Sequence, residues 1–427
     1  VVLVVICVLF FGLALLGMPL VWSLLLTTLA TIAVFGRFYP MEAIFLTYVG
    51  GVEPLYLAAI PLFVLAGELI SQGGVGRRLI AFASSLLGFL PGGLGVVTVS
   101  SATLFGAISG SAVADSAAIG SVMIPGMKRK GYPPPFSAAL VATSGTLGIL
   151  IPPSIPLLVY GFVGNVSVAE LFLSGVVPGL LFAGCLMALC IYKGRKLGCD
   201  VGGTRPDFKQ LRASFLDTVP ALIAPVIILG GIYSGLFTPT EAAAIAVVYG
   251  LLLAFVVYRE LPLSALPGLA LQAMITSAVV LVVIGATAAL AWLITVEQVP
   301  AQFSAWIAQI SSSKWVFLGL LNVLLILIGI FLEPLPALIL TAPLFIPTAT
   351  AFGVDPVHLG LIMTFNLAIG LYTPPVGGTL FVAARIANVG MGAISRELLP
   401  MFAIALAVLA LVTYVEAVPM ALVWLSR

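Results

Sequence analysis

The sequence predicts an all-α polytopic membrane protein made of two inverted repeats, and three observations carry that prediction. Residues are 62% hydrophobic and 7% charged, with mean hydropathy +1.27, against roughly 45–50% apolar and 25% charged in soluble domains. The apolar runs are long and continuous, unlike the short alternating strands of a β-barrel. Prolines and glycines recur at one spacing: Pro152-Pro153 and Pro374-Pro375 lie 222 positions apart. Pro125 with Pro347, Gly131 with Gly353, Pro134 with Pro356 and Gly148 with Gly370 keep the same offset, so the chain is a duplication.

The elements follow in order. Val1 to Phe35, broken by Gly17-Met18-Pro19, is long enough for two short tilted spans of about 17 residues each. It does not look like a cleavable signal peptide, because no basic n-region precedes it. A third span runs from Ala43 to Ile70, and Arg77-Arg78 mark the cytoplasmic side. Leu79 to Leu90 reads as a surface helix. Gly95 to Met127 has two limbs too short to cross singly, with basic residues beyond both ends, so it reads as a re-entrant hairpin tipped by Ser109-Gly110-Ser111. Pro134 to Gly164 crosses as a broken helix, Glu170 to Tyr192 crosses back, and the polar stretch Gly198 to Asp217 links the halves.

The second half repeats this order. Thr218 to Phe237, Glu241 to Tyr258 and Leu269 to Thr295 are spans, and Ala301 to Ile310 is a surface helix. A hairpin from Trp315 to Ala349 turns at Leu332-Glu333-Pro334-Leu335-Pro336. A broken helix, Pro356 to Ala387, and a last span, Leu398 to Trp424, complete the set. The first repeat is therefore 1–197, with scaffold spans in 1–36 and transport elements in 91–164. The linker is 198–217. The second repeat is 218–427, with scaffold spans in 218–258 and transport elements in 314–388. Each half has five crossings and one hairpin. An odd number of crossings places the second half upside down, an inverted repeat.

Proline in the middle of a span frees backbone carbonyls where no water reaches them, and secondary transporters bind substrate and ion at such breaks. Hydroxyls and carbonyls around a gap suit a hard monovalent cation such as Na⁺. The candidate ligands are Ser109, Gly110, Ser144, Gly145 and Thr146 in the first half and Glu333, Asn366, Gly370 and Thr373 in the second, giving one ion per half. For Gly106 and Gly110 the competing reading is a GxxxG packing face. Substrate is expected between the two ion sites, with Ser111, Asp115, Gly377 and Arg385 as contacts. Asp115 and Glu333 near the hairpin tips either neutralise a bound cation or accept hydrogen bonds that lock the tips. Arg385 reads equally as a snorkelling cytoplasmic anchor. Glu68 and Glu241 toward span ends read as structural, and His358, just after Asp355-Pro356, reads as a capping or solvent-exposed residue.

Several function classes are disfavoured. A net charge of +2 is too small to argue for nucleic acid. The four cysteines form no CxxC pair and no metal-ligand pattern, so packing is their expected role. An intramembrane protease lacks a base beside Ser109, there being a single histidine, and no GxSxG elbow surrounds it. A passive channel fits less well than alternating access, because broken helices come as an inverted pair. No P-loop is present, so ATP is not the expected drive.

Three stretches carry a resemblance: Gly106-Ala-Ile-Ser-Gly-Ser-Ala-Val-Ala-Asp115, Ile151-Pro-Pro-Ser-Ile-Pro156 with Tyr160-Gly161, and Asn366-Leu-Ala-Ile-Gly-Leu-Tyr-Thr-Pro-Pro-Val-Gly377. In this order they resemble the large membrane subunit of tripartite ATP-independent periplasmic (TRAP) transporters over essentially the whole chain. The resemblance implies an elevator-type importer of organic acids such as C4-dicarboxylates or sialic acid, driven by two or more Na⁺ in the bacterial cytoplasmic membrane. It also implies two partners, a small four-span membrane subunit and a periplasmic substrate-binding protein. A stand-alone Na⁺/carboxylate symporter is the alternative. The family usually has Asp-Pro at the second hairpin tip, where this chain has Glu333-Pro334.

Overall fold

A computed structural model describes all residues except 1, 36–39, 200–206, 300, 303–312 and 376. All the regular elements among the described residues are helices, and eight of them are long and apolar enough to cross a membrane. Helix Leu266–Val296 exposes Leu271, Met274, Ile275 and Val279 while burying Val283, Ile284 and Leu290. A helix apolar on both its packed and its open face belongs in lipid.

The helices can be divided into two packing groups, which share one continuous buried core and touch where Ala59–Gln72 meets Gly93–Ser109 and Leu266–Val296 meets Pro334–Ala351. In the first, Ala59–Gln72 lies against Pro239–Leu251, and Leu266–Val296 lies against Met41–Val52 and Leu20–Phe35. Small residues set these distances: a Cβ at Gly51 would stand 2.4 Å from Ala288 Cβ. The second group holds the hairpins and broken helices. The first hairpin consists of Gly93–Ser109 and Ala112–Arg129, and the second of Lys314–Phe331 and Pro334–Ala351. The first broken helix runs Pro134–Gly145, tightens to a 3₁₀ turn over Thr146–Ile149, and resumes as Ile155–Gly164. The second runs Pro356–Gly370 and resumes as Gly378–Ala387.

The duplicated positions have matching geometry. Both Pro152-Pro153 and Pro374-Pro375 are cis, Gly131 and Gly353 have φ +83° and +73°, and Asn165 and Asn388, one residue off that spacing, end the resumed helices at φ 51° and 52°. Packing between halves is reciprocal. The second limb of the first hairpin lies on Gly378–Ala387, and the second limb of the second hairpin lies on Ile155–Gly164. Lys128 Nζ donates to the Ala387 carbonyl, and Tyr160 donates its hydroxyl to the Pro356 carbonyl at 2.8 Å.

Several boundaries differ from expectation. The third span divides at Glu53-Pro54 into Met41–Val52, a 3₁₀ turn Leu55–Ala58 and Ala59–Gln72, because Pro54 supplies no donor to continue the first helix. The surface helix of the first half is Val75–Leu87. The interhalf linker is shorter than the polar composition implies: helix Phe208–Tyr233 starts ahead of Thr218, capped by Asp207, whose side chain accepts from Lys209 N. The last span ends at Tyr414, followed by Ala417–Ser426. Most of the expected surface helix Ala301 to Ile310, and 200–206 of the linker, lie outside the described residues.

Candidate functional site

Both helix breaks are held by glycine-to-glycine contact with a hairpin. A Cβ added at Gly106 would stand 2.6 Å from Gly148 Cα, and one at Gly370 would stand 2.2 Å from the Gly329 carbonyl oxygen. Gly148 and Gly370 are duplicated positions, so the same backbone approach is built twice. The Gly106–Gly110 spacing therefore does serve packing, but within the hairpin's own half.

The first tip makes a second contact with its break. Gly110 is left-handed, φ +65°, and a Cβ there would stand 2.9 Å from the Pro153 carbonyl oxygen. Ser109, Gly110, Pro153 and Ser154 line a gap of about 10 Å³, walled otherwise by Phe63, Ile108, Ile155 and Phe172. That is roughly the room one water-sized particle needs. Its polar residues, Ser109, Gly110, Pro153 and Ser154, have only hydroxyl and backbone oxygens to offer a cation, the ligand type that suits a hard ion.

A larger cavity of about 160 Å³ opens beside the same tip. Ser109, Gly110 and Ser111 of the first tip and Glu333 and Pro334 of the second face Gly67, Glu68 and Thr276 of the other packing group. Gly67 lets the tip come close, since a Cβ there would stand 3.0 Å from the Ser109 carbonyl oxygen. Among the described residues no basic side chain lines this cavity.

The sequence candidates thus separate. Ser109, Gly110, Ser111 and Glu333 meet at the cavity. Ser144 and Thr146 are buried behind the tip and satisfy themselves on backbone, Ser144 Oγ to the Val141 carbonyl at 3.4 Å and Thr146 Oγ1 to the Thr143 carbonyl at 2.7 Å. Gly145 packs against Ser116 Oγ and the Ala112 carbonyl. Asp115 is fully buried and receives the Ser109 hydroxyl, outside the cavity lining. In the second half, Asn366 Nδ2 donates to Asn322 Oδ1 at 2.7 Å and to the Ile362 carbonyl at 2.8 Å, leaving its buried Oδ1 without a partner. Thr373 Oγ1 donates to the Ile369 carbonyl at 2.7 Å. Gly377 starts the helix Gly378–Ala387, and Arg385 is exposed in that helix's last turn; neither lines the cavity.

One expectation is corrected and another is extended. His358 is buried, with Nε2 2.8 Å from the Val412 carbonyl, because Asp355 already caps the helix by accepting from Val357 N at 2.8 Å. Glu68, read as structural, lines the cavity, held by Gln72 Nε2 at 3.1 Å. Glu241 is structural as expected and completes a capping box with Thr238. Sequence reasoning also missed Asn322, a lone amide in an apolar limb, which donates to Thr413 Oγ1 at 3.0 Å while receiving Asn366. A carboxylate or amide inside an apolar helix was the available signal for both.

Comparison with known proteins agrees with this architecture. The C4-dicarboxylate TRAP transporter large permease protein DctM of Pseudomonas aeruginosa is 43% identical over 370 residues, covering 87% of this chain and 86% of that one. The isethionate TRAP transporter permease protein DctMQ of Oleidesulfovibrio alaskensis is 41% identical over 404 residues; the match spans 95% of this chain but 64% of that protein. A crystal structure of the YdaH transporter of Alcanivorax borkumensis shares the fold, with TM-score 0.68 at 16% identity, covering 93% of this chain and 97% of that one. The family described as "Tripartite ATP-independent periplasmic transporter, DctM component" matches residues 7–418. The chain, with its paired hairpins and broken helices, therefore belongs to the DctM family of tripartite ATP-independent periplasmic transporters, a transporter permease and not an enzyme.

Proposed function

We propose that this chain is the large subunit of a Na⁺-driven importer of organic acids in the bacterial cytoplasmic membrane, working by an elevator motion. The observation that carries the reading is the cavity where both hairpin tips meet the other packing group. Its substrate lies between the tips, against Ser111. The relatives named for C4-dicarboxylate and isethionate favour a small organic anion. Glu68 and Glu333 repel such an anion, and no basic side chain lines the cavity among the described residues to offset them. Bound cations supply the missing positive charge, which is a physical reason for Na⁺ coupling.

The ligands for the first ion are Ser109 and the carbonyls around Gly110 and Pro153; Asn366 Oδ1 and the carbonyls at the Gly370 break serve the second. Ser109→Ala is expected to raise the Na⁺ concentration for half-maximal uptake about tenfold, the equivalent of one charge-assisted bond of ~1.4 kcal/mol. Uptake into proteoliposomes against a Na⁺ titration measures it. Uptake that runs equally well in choline would reject Na⁺ drive, and an unshifted midpoint would remove Ser109 from the site.

Reciprocal packing of the two halves favours an inverted repeat, since exchanged contacts of this kind are what a two-fold axis generates. Lys130 and Thr350 are both exposed at the end of a hairpin. In a background without native cysteines, Lys130→Cys and Thr350→Cys should react with an impermeant maleimide from opposite faces. Labelling from one face would overturn the inversion. The small four-span subunit and the periplasmic binding protein are proposed as partners. The relative DctMQ extends well beyond the region matched by this chain, which favours a further membrane component.

A further inference from the structure

We propose that Asp115 is a positioning residue that charges the first ion site through Ser109 without itself touching the ion. The inference rests on the Na⁺ reading above and deepens it. Asp115 sits in the first turn of Ala112–Arg129 and has no exposed surface. One carboxylate oxygen receives the Ser109 hydroxyl; the other, Oδ2, has no hydrogen-bond partner. None of the ion pairs formed by the described residues involves it.

A buried carboxyl without a counter-charge is costly to ionise: it takes up a proton instead, unless something positive comes within reach. The surroundings say which side that is. Oδ2 is wedged against the helix break: a Cβ at Gly148 would stand 2.0 Å from it and one at Gly106 would stand 3.1 Å from it. On the other side stands Ser109, which lines the ion-sized gap with Gly110, Pro153 and Ser154.

Ser109 is set up as a relay. Its proton goes to Asp115, and its oxygen accepts the Ser111 backbone N–H at 3.2 Å. A hydroxyl oxygen has two lone pairs, so one remains for a cation. With its proton drawn toward a carboxylate, the hydroxyl oxygen becomes more basic and its orientation is fixed. Metal sites use outer-shell carboxylates on their ligands in this way, and losing one typically costs 10–100-fold in affinity. Asp115 therefore supplies negative charge to a gap lined only by neutral oxygens, while the tip keeps room for a single ion.

The test measures Na⁺ binding without transport. The purified protein in detergent is melted across a NaCl titration, with choline chloride holding ionic strength. Asp115→Asn keeps the shape and an acceptor for Ser109 but removes the charge. It should raise the Na⁺ concentration giving half of the thermal stabilisation about tenfold, leaving the melting temperature in choline close to that of the parent. Ser109→Ala should shift the midpoint similarly, and adding Asp115→Asn to it should shift it little further. Ser109→Thr, which keeps the hydroxyl, should stay within about twofold of the parent and preserves the test if Asp115→Asn does not fold. A purely structural aspartate would lower the melting temperature in choline and leave the midpoint alone, and that result overturns the proposal. So would fully additive shifts in the double variant, or a Ser109→Thr midpoint as displaced as that of Ser109→Ala. A parent protein that Na⁺ does not stabilise would instead overturn the ion-site reading itself.

Discussion

Gly370→Ala should reduce uptake by at least about tenfold and lower the melting temperature. The added methyl would stand 2.2 Å from the Gly329 carbonyl oxygen and 2.4 Å from its carbonyl carbon, both backbone atoms of the second hairpin. Backbone cannot rotate aside as a side chain can. Either the break or the limb Lys314–Phe331 must shift, and overpacking of a tight interior typically costs 1–3 kcal/mol. The cost falls at a break proposed to bind an ion, so uptake is affected more than folding. Gly126→Ala is the control, because nothing stands within 4 Å of a Cβ there; it should stay within about 0.5 kcal/mol of the parent. Comparable loss in both variants would mean that the hairpin-to-break contact has no special part in uptake.

The duplicated contact explains why so much of the site was legible. A proline pair and a glycine at fixed spacing inside an apolar run are rare, and each has one physical meaning: backbone must break or approach closely there. Ser109, Gly110, Ser111 and Glu333 followed, because hairpin tips are marked by the same residue types. What sequence did not reveal depends on which face of a helix meets which neighbour. That Glu68 lines the cavity is not visible in the sequence, because nothing in Ala59–Gln72 says that its Gly67 side meets the tip at Ser109. His358 was misread because Asp355 alone satisfies the cap, freeing the imidazole to turn inward to Val412. Of the roles expected for Asp115, accepting a hydrogen bond at the hairpin tip is the one the geometry displays, through the Ser109 hydroxyl. Ser154, beside the proline pair, lines the gap while its hydroxyl bonds the Ile149 carbonyl at 2.7 Å, and Ser144 bonds its own helix outside that lining.

In the elevator motion proposed above, the hairpins and broken helices move together past the other packing group. The most direct test uses one contact across that boundary and one within the moving group. Tyr56, in the 3₁₀ turn of the third span, packs on Phe162 of the first broken helix with ring centroids 4.7 Å apart. Gly164 and Ile346 instead join the first broken helix to the second hairpin, a Cβ at Gly164 standing 2.5 Å from Ile346 Cδ1. Uptake is measured in proteoliposomes containing cysteine pairs at these positions, before and after oxidation, with gel mobility reporting the extent of crosslinking. The Tyr56→Cys/Phe162→Cys crosslink should abolish uptake and a reductant should restore it, because elevator transport needs the two groups to slide. The Gly164→Cys/Ile346→Cys crosslink should leave uptake intact. Full uptake with Tyr56 and Phe162 quantitatively crosslinked would contradict the claim.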